Sequence, residues 1–82
     1  MALNVTRKTI SGKEAFTFGV PSSNYIVKNF SDADVLVAFD SNATDAASIK
    51  IPSMIGQICM NGDYGVDTVY VSGTGEVEVQ QI

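Results

Sequence analysis

The chain has 82 residues with no histidine and one cysteine, which excludes an internal disulfide, a histidine-dependent catalytic triad and a histidine-ligated zinc site. Hydrophobic residues make up 45% and charged residues only 17%, so we expect that a partner covers some of the apolar surface of so small a domain. The formal net charge is −4, and no basic stripe is interleaved with aromatic residues, which disfavours nucleic-acid binding.

Basic residues are concentrated at the start of the chain. Residues 1–28 carry a net charge of +3 and residues 29–82 a net charge of −7. A solvated surface explains this asymmetry, and the alternative is a basic N-terminal arm that docks on an acidic neighbouring protein. The first ten residues lack the apolar core of a signal peptide, and the longest apolar run, Val35–Phe39, is too short to cross a membrane. We therefore expect a protein made in a reducing cytoplasm and kept there, or released by lysis.

The first predicted elements precede a proline. Residues 3–10 are rich in β-branched residues and form a strand or an extended arm, and Ser11–Lys13 predicts a turn. Glu14–Val20 alternates with a period of two, as a half-buried strand does. The residues that we expect to point toward the core are Phe16, Phe18 and Val20. Pro21 ends this strand, because proline fixes φ and has no N–H to donate.

The middle of the chain holds two apolar runs, Tyr25–Phe30 and Val35–Phe39. They are separated by the four polar residues Ser31–Asp34, a common loop length for a β-hairpin, and we predict that the two runs pair with each other. Since Val35–Phe39 is apolar on both faces, it is predicted as a central strand that is covered on both sides.

The second half of the chain follows a polar loop, Asp40–Ser48. Its predicted strands are Ile49–Ile51, Met54–Met60, Asp67–Ser72 and Glu76–Ile82, and its predicted turns are Asn61–Gly65 and Gly73–Gly75. In the last strand Val77 and Val79 point inward and Glu78 points outward. Charged outward residues commonly protect an edge strand, so an edge position is predicted for this one.

These patterns predict an all-β fold of about eight short strands with no major helix, arranged as a small antiparallel β-sandwich or barrel of jelly-roll-like type. Residues 1–13 are assigned to an extended N-terminal arm or edge strand. Residues 14–82 are assigned to a single β-sandwich domain.

Sites that carry chemistry are nearly absent from the sequence, which favours a protein that is not an enzyme and has no cofactor. Its paired carboxylates lie at turns or on a solvent face, whereas acid–base catalysis needs two carboxylates in contrasting environments. The segment Asp40–Asp45 begins like a calcium-binding EF-hand loop but has no glycine at the sixth position, and Ile51 replaces the bidentate glutamate. An acidic loop that caps its own backbone amides is the favoured interpretation, and no metal site is predicted.

Cysteine and tyrosine give two further expectations. Cys59 lies between apolar neighbours in a predicted strand, which favours a small buried hydrophobic residue over a reactive thiol. Tyr25, Tyr64 and Tyr70 could form a platform on which a sugar stacks, although packing in a core or interface is the favoured role. Tyr64, in a glycine-rich turn, is the best candidate for binding a ligand.

Four segments of the sequence resemble the small β-rich virion proteins of tailed bacteriophages, of the head-decoration or auxiliary capsid type. These segments are the threonine-bearing N-terminal arm, the block FTFGVPSSNYIVKNFSDADVLVAFD, the segment IKIPSM and the closing hairpin DTVYVSGTGEVEVQ. The resemblance implies a small β-sandwich that assembles as a symmetric homo-oligomer, with a trimer favoured, on the major capsid protein or another virion protein. It further implies a virion location after assembly in the bacterial host cytoplasm, with no catalysis, cofactor, nucleic acid or membrane.

The N-terminal arm, residues 1–13, is then the candidate for the contact with the capsid or for strand addition to a neighbouring chain. Its candidate partner-binding residues are Val5, Arg7, Lys8 and Lys13. The alternative function is a receptor- or carbohydrate-binding β-sandwich module of a phage tail or fibre, in which Tyr64 would contact the ligand.

Overall fold

The computed structural model describes residues 4–60 and 65–82, and nearly all of this part is antiparallel β-structure. Its strands are β1 (Asn4–Ser22), β2 (Asn24–Asn29), β3 (Val35–Ala38), β4 (Ile49–Ile51), β5 (Gly56–Met60) and β6 (Val66–Gln81). One 3₁₀ turn at Asp45–Ala47 lies in the polar loop before β4. The predicted all-β class is confirmed, but the expectation of about eight strands is wrong, since the described residues form six.

The last strand, β6, is the centre of the sheet. The strand order is β4-β3-β6-β2-β5, and β1 pairs with the other side of β6 over nearly its whole length. β3 pairs with residues 70–72 of β6 and β2 pairs with residues 77–81. The sheet therefore divides into two halves that share the long β1/β6 ribbon and curve into a nearly closed barrel. The predicted edge position of the last strand is wrong.

The ribbon also explains why fewer strands form than the sequence predicts. Ser11–Lys13 and Gly73–Gly75 are not turns, because they pair with each other inside the ladder and Gly12 lies directly opposite Gly73. Gly12 has φ +99° and Gly75 has φ +127°, values that other residues rarely adopt. Glycine here lets both strands bend sharply without reversing direction, so two predicted pairs of short strands become one long pair.

The predicted hairpin between Tyr25–Phe30 and Val35–Phe39 does not form. The strands β2 and β3 exist near the predicted positions, but each pairs with β6 and they do not pair with each other. The connection between them is held by Asn29, whose Nδ2 donates to the Ala33 carbonyl at 2.8 Å and to the Ile51 carbonyl at 3.1 Å. Its Oδ1 accepts a hydrogen bond from the Ser31 N–H at 2.9 Å.

The core occupies the inner face of the curved sheet. The residues that form it are Ile10, Phe16, Tyr25, Val27, Val35, Val37, Ile51, Cys59, Val69, Val71, Val77 and Val79. Phe18 packs against this core, as predicted, but Val20 is 52% exposed because the pairing of β1 shifts register between Thr17 and Ser22. In the described part of the chain, no helix is long and apolar enough to cross a membrane.

Candidate interaction surface

The outer surface of the sheet half formed by β1, β6, β2 and β5 combines apolar and charged side chains, and we call it the outer face. Paired residues of neighbouring antiparallel strands point to the same side of a sheet. The register therefore places Val5, Gln80, Ile26 and Ile58 in one row across the four strands. Val5 is 50% exposed and Ile58 is 59% exposed, so this row presents apolar area to solvent.

A row of charges lies beside the apolar row. Glu78 accepts a hydrogen bond from Arg7 Nη2 at 2.9 Å, and Lys28 Nζ lies 3.4 Å from its other carboxylate oxygen. The Glu78 side chain is only 12% exposed, whereas both cations are about half exposed. The hydrogen bond from Arg7 lowers the pKa of Glu78, burial opposes that shift, and Lys28 lowers the pKa further. The row therefore holds a fixed carboxylate between two accessible cations.

Phe30 extends the outer face past the end of β2. The Arg7 guanidinium carbon lies 5.1 Å from the centre of the Phe30 ring, within the range of a cation–π interaction. Phe30 is 38% exposed. Arg7 thus contacts an apolar ring and a carboxylate at once, which restricts its side chain while leaving part of the guanidinium accessible.

The structure brings together two of the four residues that the sequence singled out. Val5 and Arg7 both lie on the outer face. Lys8 points to the opposite side of β1, where its Nζ lies 4.7 Å from the centre of the Phe16 ring and donates to the Ala15 carbonyl at 3.0 Å. Lys13 lies beyond the bend of the ribbon and donates to the Ser41 carbonyl at 2.9 Å.

Sequence reasoning missed the partners that complete the outer face: Lys28, Phe30, Ile58 and Glu78. The alternation of β2 shows that Ile26, Lys28 and Phe30 share one side of a strand. No pattern within a single strand shows which residues of β1, β5 and β6 stand beside them, because pairing register depends on the whole sheet.

The tyrosines do not form a platform in the described residues. Tyr25 is fully buried, with ring centres 5.6 Å from Phe18 and 6.0 Å from Phe39. Its hydroxyl donates to the Val66 carbonyl and accepts from the Gln81 amide at 3.2 Å, and burial raises its pKa. Tyr25 is therefore a core residue. Tyr64 lies outside the described residues.

The remaining candidates have structural roles. Asp40 Oδ1 accepts the Asn42 N–H at 2.9 Å, so this carboxylate caps its own loop. Cys59 is buried, and burial raises the pKa of its thiol to about 11, as expected for a small hydrophobic core residue. Within residues 4–60 and 65–82, no three acidic or cysteine side chains form a group that could hold a metal ion.

The outer face is thus the most distinctive surface of the described chain. It consists of an exposed apolar row, a buried carboxylate with two cations, and an aromatic ring under one of those cations. Comparison of the chain with protein-family models, with curated proteins and with solved structures finds no match.

Proposed function

We propose that this chain is a non-enzymatic structural protein of a phage virion, a capsid decoration protein that binds and stabilises the head as a symmetric homo-oligomer. The observation that carries the proposal is the outer face. Val5 and Ile58 are 50% and 59% exposed on the outside of the sheet, where burying apolar area against a partner would be favourable.

The charges of the outer face suit a docking role. Glu78 holds Arg7 and Lys28 in place before a partner arrives, so that little side-chain entropy is lost on binding. The guanidinium has more N–H donors than Glu78 and the Phe30 ring use, and an acidic side chain of the major capsid protein can accept the others. In this proposal the two cations orient the partner on the outer face, and the apolar row provides the area that is buried in the contact.

Repetition on a shell makes modest contacts sufficient. Once one subunit of an oligomer is bound to the capsid, its other subunits are held close to symmetry-related binding sites and bind as in an intramolecular reaction. The overall affinity then rises without any stronger individual contact. A small rigid sheet that clamps neighbouring subunits would then resist their separation. This is the physical basis of the proposed stabilising role.

The test uses head particles assembled without this chain. Purified protein is added to the particles, the particles are sedimented, and the amount of protein bound to them is measured. Because residues 4–10 pair with β6, deleting the N-terminal segment would remove part of the sheet, so the test uses the double substitution Val5→Ser/Arg7→Ala. The matched control is Lys50→Ala, which removes an exposed cation from β4 in the other half of the sheet.

We expect the double variant to bind particles at least about tenfold more weakly and the control to bind like the wild-type chain. Thermal unfolding of each variant shows that the fold is retained. Equal binding by all three proteins would contradict the proposed contact, and failure of the wild-type chain to bind any head particle would contradict the proposed function.

A further inference from the structure

Three strands of the described sheet have one unpaired side, and β5 differs from the other two. β1 carries Arg7, Lys8 and further charges and bends at its glycines, whereas β4 has only three residues, with Lys50 at its centre and a proline directly after it. Charges, bends, short length and proline are the usual devices that prevent one edge strand from pairing with another. β5, with the sequence Gly-Gln-Ile-Cys-Met, has no charge and no proline.

The backbone of β5 offers hydrogen-bonding groups on its unpaired side. The Asn29 N–H donates to the Ile55 carbonyl at 2.9 Å, which fixes the alternation of hydrogen-bonded pairs along the ladder between β2 and β5. Gln57 and Cys59 therefore direct their N–H and C=O groups toward β2. The N–H and C=O groups of residues 56, 58 and 60 point the other way, where no strand of the described chain pairs with them.

We infer that β5 pairs with β5 of a second copy of this chain, antiparallel about a twofold axis at Ile58. In this register Ile58 is opposite Ile58 of the second copy, and Gly56 is opposite Met60. The backbone N–H and C=O groups of Gly56, Ile58 and Met60 all point to the unpaired side of β5. Each opposed pair therefore exchanges two N–H···O hydrogen bonds. The contact is isologous and closes on itself.

The lack of charge on β5 makes a second copy the expected occupant of this edge. The chain carries a net charge of −4, so two copies repel each other wherever charged surfaces meet, and an uncharged edge avoids that repulsion. β5 is the described edge strand without a charge, and Ile58 at its centre is 59% exposed. A charged peptide would have no opposite charge to pair with on this strand. A second β5 carries no charge of its own and places apolar residues of the two copies side by side. The apolar row of one outer face then continues into the row of the other.

This pairing rests on the proposed assembling function and specifies the contact between copies. A twofold contact gives a dimer or a multiple of dimers, which differs from the trimer that the sequence resemblance favours. The two assemblies have different masses, twice or three times the 8.7 kDa of one chain.

The test uses the purified full chain, without particles, in size-exclusion chromatography with light scattering over a range of concentrations. Ile58→Lys places two like charges opposite each other at the twofold axis, and the exposed position of Ile58 allows the fold to be retained. Val20→Lys is the matched control, because it adds the same charge at a similarly exposed apolar residue of β1 that belongs to neither row of the outer face. We expect a dimer for the wild-type chain and for Val20→Lys, and at least a tenfold higher dissociation constant for Ile58→Lys.

Amide hydrogen exchange of the wild-type chain gives a measurement that does not depend on any variant folding. The pairing protects the Gly56 and Ile58 amides from hydrogen exchange in concentrated samples. Dilution separates the two copies, and the protection of these amides is then lost. Unprotected amides at all concentrations, a wild-type monomer or trimer, or a dimer that Ile58→Lys leaves intact would each overturn the inference. A monomer that still binds head particles would refute the pairing alone, and a dimer that binds none would refute the shell role alone.

Discussion

The guanidinium of Arg7 and the carboxylate of Glu78 meet at 2.9 Å across two neighbouring strands, although 71 residues separate them in the chain. This ion pair lies on the outside of the sheet, yet Glu78 is mostly covered, because Arg7 and Lys28 lie on either side of it. It therefore links three strands, β1, β6 and β2, through side chains as well as through the backbone. Its contribution to stability can be separated from its contribution to binding.

The first prediction concerns the charge of Glu78. We expect Glu78→Gln to lower the free energy of unfolding by about 1 kcal/mol at neutral pH, because the charge-assisted bond becomes a neutral one. Urea denaturation of both proteins measures the difference. The control is Glu76→Gln, an exposed residue of the same strand, which should change stability by less than about 0.5 kcal/mol.

The same pair gives a pH dependence. The pKa of Glu78 is lower in the folded chain than in the unfolded one, so its contribution is fully present above the unfolded value of about 4.3. That contribution is lost as the pH falls through the folded pKa. The stability difference between the wild-type chain and Glu78→Gln should therefore be constant above about pH 5 and shrink below pH 4. A difference that grows with acid would contradict this assignment.

The third prediction concerns the bend of the ribbon. A Cβ atom added at Gly73 would lie 2.7 Å from Val35 Cγ1, and a valine side chain cannot swing away freely. We expect Gly73→Ala to cost about 1–3 kcal/mol in urea denaturation. Because Val35→Ala removes the obstructing methyl, the double variant should be more stable than the sum of the single effects predicts, by about 1 kcal/mol. Strict additivity would show that the contact is not the cause.

The fourth prediction concerns Asn29, which is 1% exposed and donates from its amide to backbone carbonyls. Asn29→Asp replaces these donors by a carboxylate that faces acceptors, and we expect a loss of about 3 kcal/mol at neutral pH. The matched control is Asn24→Asp in the same strand, where the half-buried side chain makes no comparable set of bonds to the described residues, and the change should stay below about 1 kcal/mol. Thermal unfolding compares the two variants.

The fifth prediction concerns the thiol. Since Cys59 is buried and its pKa is raised to about 11, little thiolate is present at pH 8 and the sulfur is inaccessible. We expect a thiol reagent such as DTNB to label the folded chain only through unfolding, and to label the urea-unfolded chain within seconds to minutes. Labelling of the native chain at the rate of the unfolded chain would show that β5 opens locally.

Sequence periodicity located most strands because it reports which side of a strand is apolar. The predicted strands Tyr25–Phe30 and Val35–Phe39 lie close to β2 and β3, and the predicted core positions of Val77 and Val79 are confirmed. Their partners could not be derived, because a four-residue polar loop fits a hairpin as well as it fits two strands that share a third one. The pairing of both strands with β6 distinguishes the two arrangements, and it depends on residues far away in the sequence.

Glycine caused the error in strand number. At Gly12 and Gly73 the sequence has the composition of a turn, and a turn and a bend both favour residues without a Cβ atom. The deciding fact is that the two glycine-containing segments pair with each other, which requires knowing that β1 and β6 are neighbours. For the same reason the candidate site was found in part: Val5 and Arg7 were proposed from charge and position, but Ile58 and Glu78 belong with them only through the register.

The position of β6 in the chain also sets the order of folding. This strand follows the other five along the chain, and β1, β2 and β3 all need it to complete their ladders. A ribosome must therefore release residues 66–81 before β1, β2 and β3 have all their neighbours, so the sheet is completed only after this segment is synthesised. Contacts between residues so far apart in sequence also make folding slow, on the order of milliseconds to seconds.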